Sequence, residues 1–241
     1  MAMERLDKLL AHLGLGSRKE VRSLIGQGRV KVDGLVITDP GAQVDPAGQQ
    51  LALDGQSLTY RSHFYVMMHK PPGYITAADD PRKPPVMDVL PEELRRRDLM
   101  PVGRLDKDTE GLLLFTTDGD LTHRLLSPKW HVEKLYFVRL ERPLIAEADA
   151  IFTDGVLLED GYRCMPARLH VLGPQEATVA IREGKYHQVK RMFQAVQNYV
   201  VYLKRLEMGP LSLGDLPLGR SRPLTELEID ALYESAGLAR P

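Results

Sequence analysis

Apolar residues at Leu6, Leu9, Leu10 and Leu13 recur at helical spacing, and Gly14 and Gly16 close the run, which predicts a short first helix. Ser17 with Glu20 three positions on forms a capping box that opens a second helix, with Val21, Leu24 and Ile25 inward and Gly28 as its stop. VKVDGLVIT and LALDGQSL then alternate and turn at Asp33-Gly34 and Asp54-Gly55, the strongest short hairpin signal. Together these parts predict a compact unit over residues 1–58, followed by a polar linker over 59–63.

A larger domain is predicted from Phe64 to the end, residues 64–241. FYVMM reads as a short apolar strand closed by the turn formers of HKPPGY. The Pro-rich, charged stretch from Asp79 to Pro85 reads as an exposed loop, and Glu92 to Arg97 as a short helix. LLLF, from Leu112 to Phe115, has the continuous apolar character of a buried strand, and Asp120 is placed to cap a helix ending near Leu126. VEKLYFVRLE alternates, with Lys134, Tyr136, Val138 and Leu140 on one side. IAEADAIFTDG reads as a helix with a Gly stop, ARLHVL and ATVAIRE as strands, VKRMFQAV as a helix and VVYLKRLEMG as a strand. Thr225 and Glu228 make a second capping box before a last helix. Many of the strands are joined by turns too short for crossover helices, which predicts an α+β domain with a mixed, mostly antiparallel sheet.

With 241 residues, 43% of them hydrophobic, the chain has enough apolar surface for a substantial core. No apolar run approaches the roughly 20 residues needed to span a bilayer, and MAMERLDKLL lacks the apolar core of a secretion signal. The single Cys164 excludes an internal disulfide and a multi-cysteine zinc site. These features point to a cytoplasmic protein. The formal net charge of -1 hides an uneven distribution. From Arg5 to Lys31 seven basic residues (Arg5, Lys8, Arg18, Lys19, Arg22, Arg29 and Lys31) face two acids, and a second basic cluster that includes Lys190 and Arg191 lies between Arg182 and Arg205. Such local fields survive an overall balance near zero.

The densest chemistry lies in GRLDKDTEG, where Arg104, Asp106, Asp108 and Glu110 precede the apolar strand. Loops held by a rigid strand are where reactive groups tend to sit. One reading makes Asp106 and Asp108 plain turn formers. A second makes the segment a calcium loop, but the twelfth position, which needs a bidentate Glu, is Thr117 and the intervening residues are strand-like. A third makes one carboxylate a nucleophile or base.

RLDKLLAHLGLGSRKEVRSLIGQGRVKVDG resembles the alpha-L RNA-binding module. GRLDKDTEGLLLFTTDGDLTHRLLSP resembles the signature of the pseudouridine synthases, with HKPPGY before it and EKLYFV and EGKYHQVKRMF after it. The likeness covers essentially the whole chain, and among the branches of this family THRLLSPKWHVEKLYFV, GKYHQVKRMFQAV and RPLTELEI are most similar to the one acting on small-subunit (16S) rRNA.

The resemblance implies isomerisation of uridine to pseudouridine in rRNA. It places the catalytic aspartate on Asp106, the base-contacting aromatic on Tyr136 and the aspartate's basic partner on Lys190, with Arg104 in support. It implies RNA contacts for the basic residues of the first unit and for Arg191, and it implies no cofactor and no metal. Leu135 stands where Thr is common in the family, and Lys107 where an apolar residue is common. His187 reads as a capping or backbone-bonding histidine. The expected partner is rRNA or a ribosomal-subunit assembly intermediate. No heptad or self-complementary apolar stripe is evident, which fits a monomer. The alternative from another class is a non-catalytic RNA-binding or ribosome-assembly factor with a synthase-like body.

Overall fold

The computed structural model describes residues 3–58, 60, 62–76, 84–96 and 98–240, and it divides into two compact units, 1–62 and 63–241. The loop expected from Asp79 to Pro85 falls mostly outside the described residues, as do Thr59 and Arg61 of the expected linker and Arg97 at the end of the expected short helix. Of that helix, Glu92–Leu94 forms a single 3-10 turn.

In the first unit, helices α1 (Leu6–His12) and α2 (Arg18–Gly26) pack on a four-stranded antiparallel sheet, β1 (Val30–Val32), β2 (Leu35–Val36), β3 (Leu51–Leu53) and β4 (Gln56–Leu58), in the order β2-β1-β3-β4. The helical stripes bury Leu6, Leu9, Leu10, Val21 and Ile25 against Val30, Val32 and Leu51. The Ser17–Glu20 capping box forms in both directions. Both hairpins turn through two residues of positive φ, Asp33-Gly34 and Asp54-Gly55, the left-handed pair that matches strand twist.

The second unit is built on a mixed sheet. Its main strands are β5 (Tyr65–Lys70), β6 (Glu110–Thr116), β7 (Lys134–Leu140), β8 (Arg168–Gly173), β9 (Glu176–Ile181), β10 (Val200–Met208) and β11 (Ser221–Pro223). Their order is β8-β9-β7-β10-β6-β5-β11, and only the β10–β6 pairing is parallel. Two helices cover each face. Alternate residues of β5 and β6 go to opposite sides: Met68, Leu113 and Phe115 join the layer of α4 (Ala148–Asp154) and α5 (Gln188–Ala195), while Met67, Leu112 and Leu114 join that of α3 (Gly119–Leu126) and α6 (Glu226–Ser235). Burial on both faces explains why LLLF is continuously apolar.

Two local expectations need correction. Helix α3 is capped by Asp118, whose side chain accepts from Leu121 N at 2.9 Å, and not by Asp120. The earlier start leaves one carboxylate oxygen of Asp118 to accept the Tyr233 hydroxyl from α6. Strand β5 also runs through His69 and Lys70, residues that the turn-forming prolines behind them disguise. Among the described residues no helix is long and apolar enough to cross a membrane.

Candidate active site

The turn before β6 is held by backbone hydrogen bonds from distant residues. Thr109 N donates to Asp106 O at 3.1 Å, closing the turn itself, and Gly73 N donates to Lys107 O at 2.7 Å. Thr76 Oγ1 donates to Leu105 O at 2.9 Å and accepts from Leu105 N at 3.1 Å. At the centre lies Lys70, with 0% exposure. Its Nζ donates to Pro71 O at 3.1 Å, Asp106 O at 3.1 Å and Thr109 O at 3.0 Å. Burial pushes its pKa down to about 8, with the charges of Asp108, Asp106 and Glu110 acting in the opposite direction. A charged amine thus takes the place of water for carbonyls that the turn leaves without strand partners.

Above this floor, Lys190 reaches over from α5. Its Nζ lies 3.2 Å from Asp106 Oδ2 and 2.6 Å from Asp108 Oδ1. Partial burial works against the Lys190 charge, yet the bonds and charges of Asp108 and Asp106 outweigh it and hold its pKa above the ordinary lysine value. Partial burial likewise disfavours the Asp108 carboxylate, and Lys190 outweighs that burial to pull its pKa below the ordinary value. The two carboxylates differ in exposure: the Asp106 side chain is 26% exposed and that of Asp108 is 73% exposed. Asp106 is therefore partly open to the cleft and not fully buried, so a substrate atom has access to it.

His187 completes the set. Its Nε2 lies 3.4 Å from Asp106 Oδ1, and its backbone is left-handed at φ 48°. Its ring stacks on Tyr186 at 3.8 Å between centroids. The capping role expected from sequence is not what its side chain does: no side-chain cap bond forms at the start of α5. The left-handed backbone turns the ring towards the turn, a geometry with no signature in spacing.

Asp106 and Tyr136 line one cleft of about 640 Å³, together with Arg104, Lys134, His187 and Arg205. Lys190 approaches the same carboxylate from the side. Arg104 is exposed at the rim. Arg191 pairs instead with Asp160 at 2.5 Å. The fold therefore brings together Arg104, Asp106, Tyr136 and Lys190, residues spread over 86 positions, because β7, β10 and β6 are neighbours and α5 packs over their ends.

In the first unit the basic residues separate into two groups. Arg5 and Arg22 both donate to the buried carboxylate of Asp7, at 3.0 Å and 2.8 Å, and those bonds, Arg5 first, hold Asp7 far below the usual carboxylate range against its burial. Lys8 pairs with Glu4 and Arg29 with Asp54. Arg18, Lys19 and Lys31 are exposed and take part in no ion pair among the described residues.

A carboxylate paired with an amine, beside an aromatic ring in an open cleft, suits covalent or proton-transfer chemistry on a ring-bearing substrate. Residues 64–195 match the RNA pseudouridylate synthase family, residues 4–51 match the S4 domain, and the chain belongs to that synthase family. More particularly, it is 42% identical over 229 residues to the ribosomal small subunit pseudouridine synthase A of Escherichia coli (strain K12), covering 93% of this chain and 98% of the relative. It is 47% identical to an uncharacterised RNA pseudouridine synthase of Bacillus subtilis (strain 168), covering 95% and 98% of the two chains. A solved pseudouridylate synthase superposes with a TM-score of 0.67 at 36% identity, covering 95% of this chain and 99% of that one.

The buried amine supports a prediction. Lys70→Met removes the donor that ties Asp106 O to Thr109 O, and a misplacement of about 1 Å at a reacting group costs about 100-fold in rate. The expected result is a drop of that order in single-turnover pseudouridine formation with rRNA affinity kept; an unchanged rate would remove Lys70 from the site. Stability carries a second signature. The folded pKa of Lys70 lies below its unfolded value, so the unfolded chain binds more protons between about 8 and about 10.5, and the stability of the wild type relative to Lys70→Met rises with pH across that window.

Proposed function

We propose that the chain converts a specific uridine of 16S rRNA to pseudouridine, with Asp106 as nucleophile or base, Tyr136 against the flipped base and Lys190 as the cation paired with Asp106. The observation that carries this is the placement of Asp106: a fixed backbone, a paired lysine and a partly exposed carboxylate in the cleft that Tyr136 lines. The small-subunit relatives at 42% identity over nearly the whole chain support the substrate. Residues 1–58 form the RNA-binding domain, 59–63 the linker and 64–241 the catalytic domain.

In the reaction the C1′–N1 bond breaks and its electron pair goes to the base. The Asp106 carboxylate either bonds to C1′ or takes a proton from the sugar. The freed uracil rotates, and C5 bonds to C1′ as the Asp106–C1′ bond breaks or as the sugar regains the proton it gave to Asp106; C5 then loses its proton, and N1 gains one. The sum is an isomerisation, with nothing oxidised or reduced. The target must leave its stack, and an aromatic face at Tyr136 offers about 1 to 3 kcal/mol of stacking in return.

Mapping pseudouridines in 16S rRNA from cells with and without the gene tests the reading. One site is expected to vanish and to return with the wild-type gene. An unchanged map would favour the non-catalytic assembly factor. The first domain has its own test. Arg18, Lys19 and Lys31, which have no ion pair among the described residues, are the residues to neutralise together, and Arg22 is left alone because Asp7 needs it. Their loss is expected to reduce the salt slope of rRNA binding by about 2 to 3 units, and an unchanged slope would remove the domain's proposed role.

A further inference from the structure

The cleft contains two buried cations that the chemistry above does not use. Lys134 opens β7 two residues before Tyr136, and the alternation of the strand puts it on the same face, opposite Ile181 of β9. Arg205 of β10 lies directly opposite Tyr136, beside a register shift in the β7–β10 ladder. Lys134 is 6% exposed and Arg205 2%, and both line the cleft that Asp106 enters.

Neither has an anionic partner among the described residues. Lys134 Nζ donates to Val132 O at 2.9 Å, which uses one of its three donors. Arg205 Nε donates to Leu112 O at 2.7 Å, while its buried Nη2 has no hydrogen-bond partner. Burial, together with the nearby Arg205 charge, lowers the pKa of Lys134 to about 8. Two neighbouring, uncompensated cations are expensive to bury, and such groups cluster where a ligand completes them.

The complement to this pair is oxygen, either of a phosphate or of a base. Depth decides between them. A phosphodiester carries a full, strongly hydrated charge and is best met at the rim, where Arg104, Lys107 and Lys185 are exposed. The floor beside Tyr136 is where the extruded base goes. Uracil presents carbonyl oxygens at C2 and C4, and once the C1′–N1 bond has broken, the electron pair left on the base spreads over both oxygens. Donors at the floor would therefore be engaged more strongly in the transition state than in the ground state, which is the condition for catalysis by differential binding. They would also select against cytidine, whose C4 bears an amine where uridine has an acceptor.

We propose that Lys134 and Arg205 form a two-cation pocket that receives the carbonyl oxygens of the target uracil and stabilises the uracil anion released on glycosidic cleavage; this rests on the placement of the base at Tyr136 given above. The pair thus serves both base selection and leaving-group departure, while Lys190 serves the aspartate.

Titration of uridine, cytidine and ribose 5-phosphate into the full chain, followed by NMR, tests the pocket. Lys134→Met is expected to weaken uridine about tenfold, the loss typical of one charge-assisted hydrogen bond. Binding of ribose 5-phosphate should not change; cytidine, which keeps only the C2 carbonyl, should lose no more than uridine does, and Lys134→Arg should restore uridine. A loss confined to ribose 5-phosphate would show a phosphate site and overturn the proposal, as would no change in any ligand. Should Lys134→Met fail to fold, Arg205→Gln, which keeps a donor for Leu112 O, is read in the same way. The titration needs no turnover. A chain that makes no pseudouridine yet binds uridine through Lys134 would overturn the functional reading and leave the pocket; turnover without that dependence would overturn the pocket alone.

Discussion

Asp106→Asn is expected to lower pseudouridine formation by about 10⁴-fold while rRNA binding is kept, since the substitution preserves size and removes only the charge to which the proposed chemistry assigns attack at C1′ or proton removal. The surroundings make the experiment clean. The turn is held through the backbone oxygens of Asp106, Lys107 and Thr109, which an Asn supplies equally well. Lys190 keeps Asp108 as a partner at 2.6 Å, so the amine is not left unpaired. The matched control is Asp108→Asn. That carboxylate binds the same lysine but is 73% exposed, and a surface ion pair of this kind contributes about 0 to 1 kcal/mol, so its removal should cost less than about tenfold. Single-turnover assays on the mapped rRNA segment, with nucleosides quantified after digestion, give both numbers. Turnover by Asp106→Asn within tenfold of wild type, or a dead Asp108→Asn beside an active Asp106→Asn, would move the chemistry off Asp106.

The parts of this site that were legible in the sequence are those with a local signature. Period two in KLYFVRL put Lys134 and Tyr136 on one face, and β7 does so. The two capping boxes and both Asp-Gly hairpins formed where their residues stand, because each is decided within a few positions. What was not legible depends on contacts across the fold. Lys70 sits before two prolines and a glycine, a context that reads as a turn, and its role appears only when carbonyls 36 and 39 residues away close around it. Asp7 looks like one of two acids in a basic segment, yet it anchors Arg5 and Arg22 and removes them from the set of freely available cations. Arg205 was visible only as part of a basic cluster. Its neighbour Lys204 pairs with Glu110 along the parallel ladder and Arg205 itself pairs with Gly111, and it is this pairing of distant strands that sets the arginine in the lining of the cleft.

That pairing makes Gly111→Ala the substitution with the largest expected effect on stability. Gly111 has φ 115°, a conformation that other residues rarely adopt, and it pairs with Lys70 on one side and Arg205 on the other. A Cβ there would lie 2.2 Å from Arg205 O and 2.4 Å from its N. Those are backbone atoms of a central strand and cannot swing aside as a side chain would. Strain at the dihedral and overpacking at the ladder each cost about 1 to 3 kcal/mol, so a combined loss of about 2 to 6 kcal/mol is expected, on the order of 10 °C in melting temperature for a chain of this size. Gly119→Ala is the control of opposite sign: it stands at the first position of α3, where an added methyl would meet nothing within 4 Å, and it should be neutral or slightly stabilising. Thermal melts of the two variants read the difference, and a shift below about 2 °C for Gly111→Ala would show that β10 can give way. Gly111 lies between Lys70, which holds the turn of Asp106, and Arg205, which faces the cleft, so its loss should reach both at once. Below the melting point, Gly111→Ala should therefore lose more activity than its folded fraction accounts for, because forcing the two strands apart separates Asp106 from Arg205 across the cleft that both line.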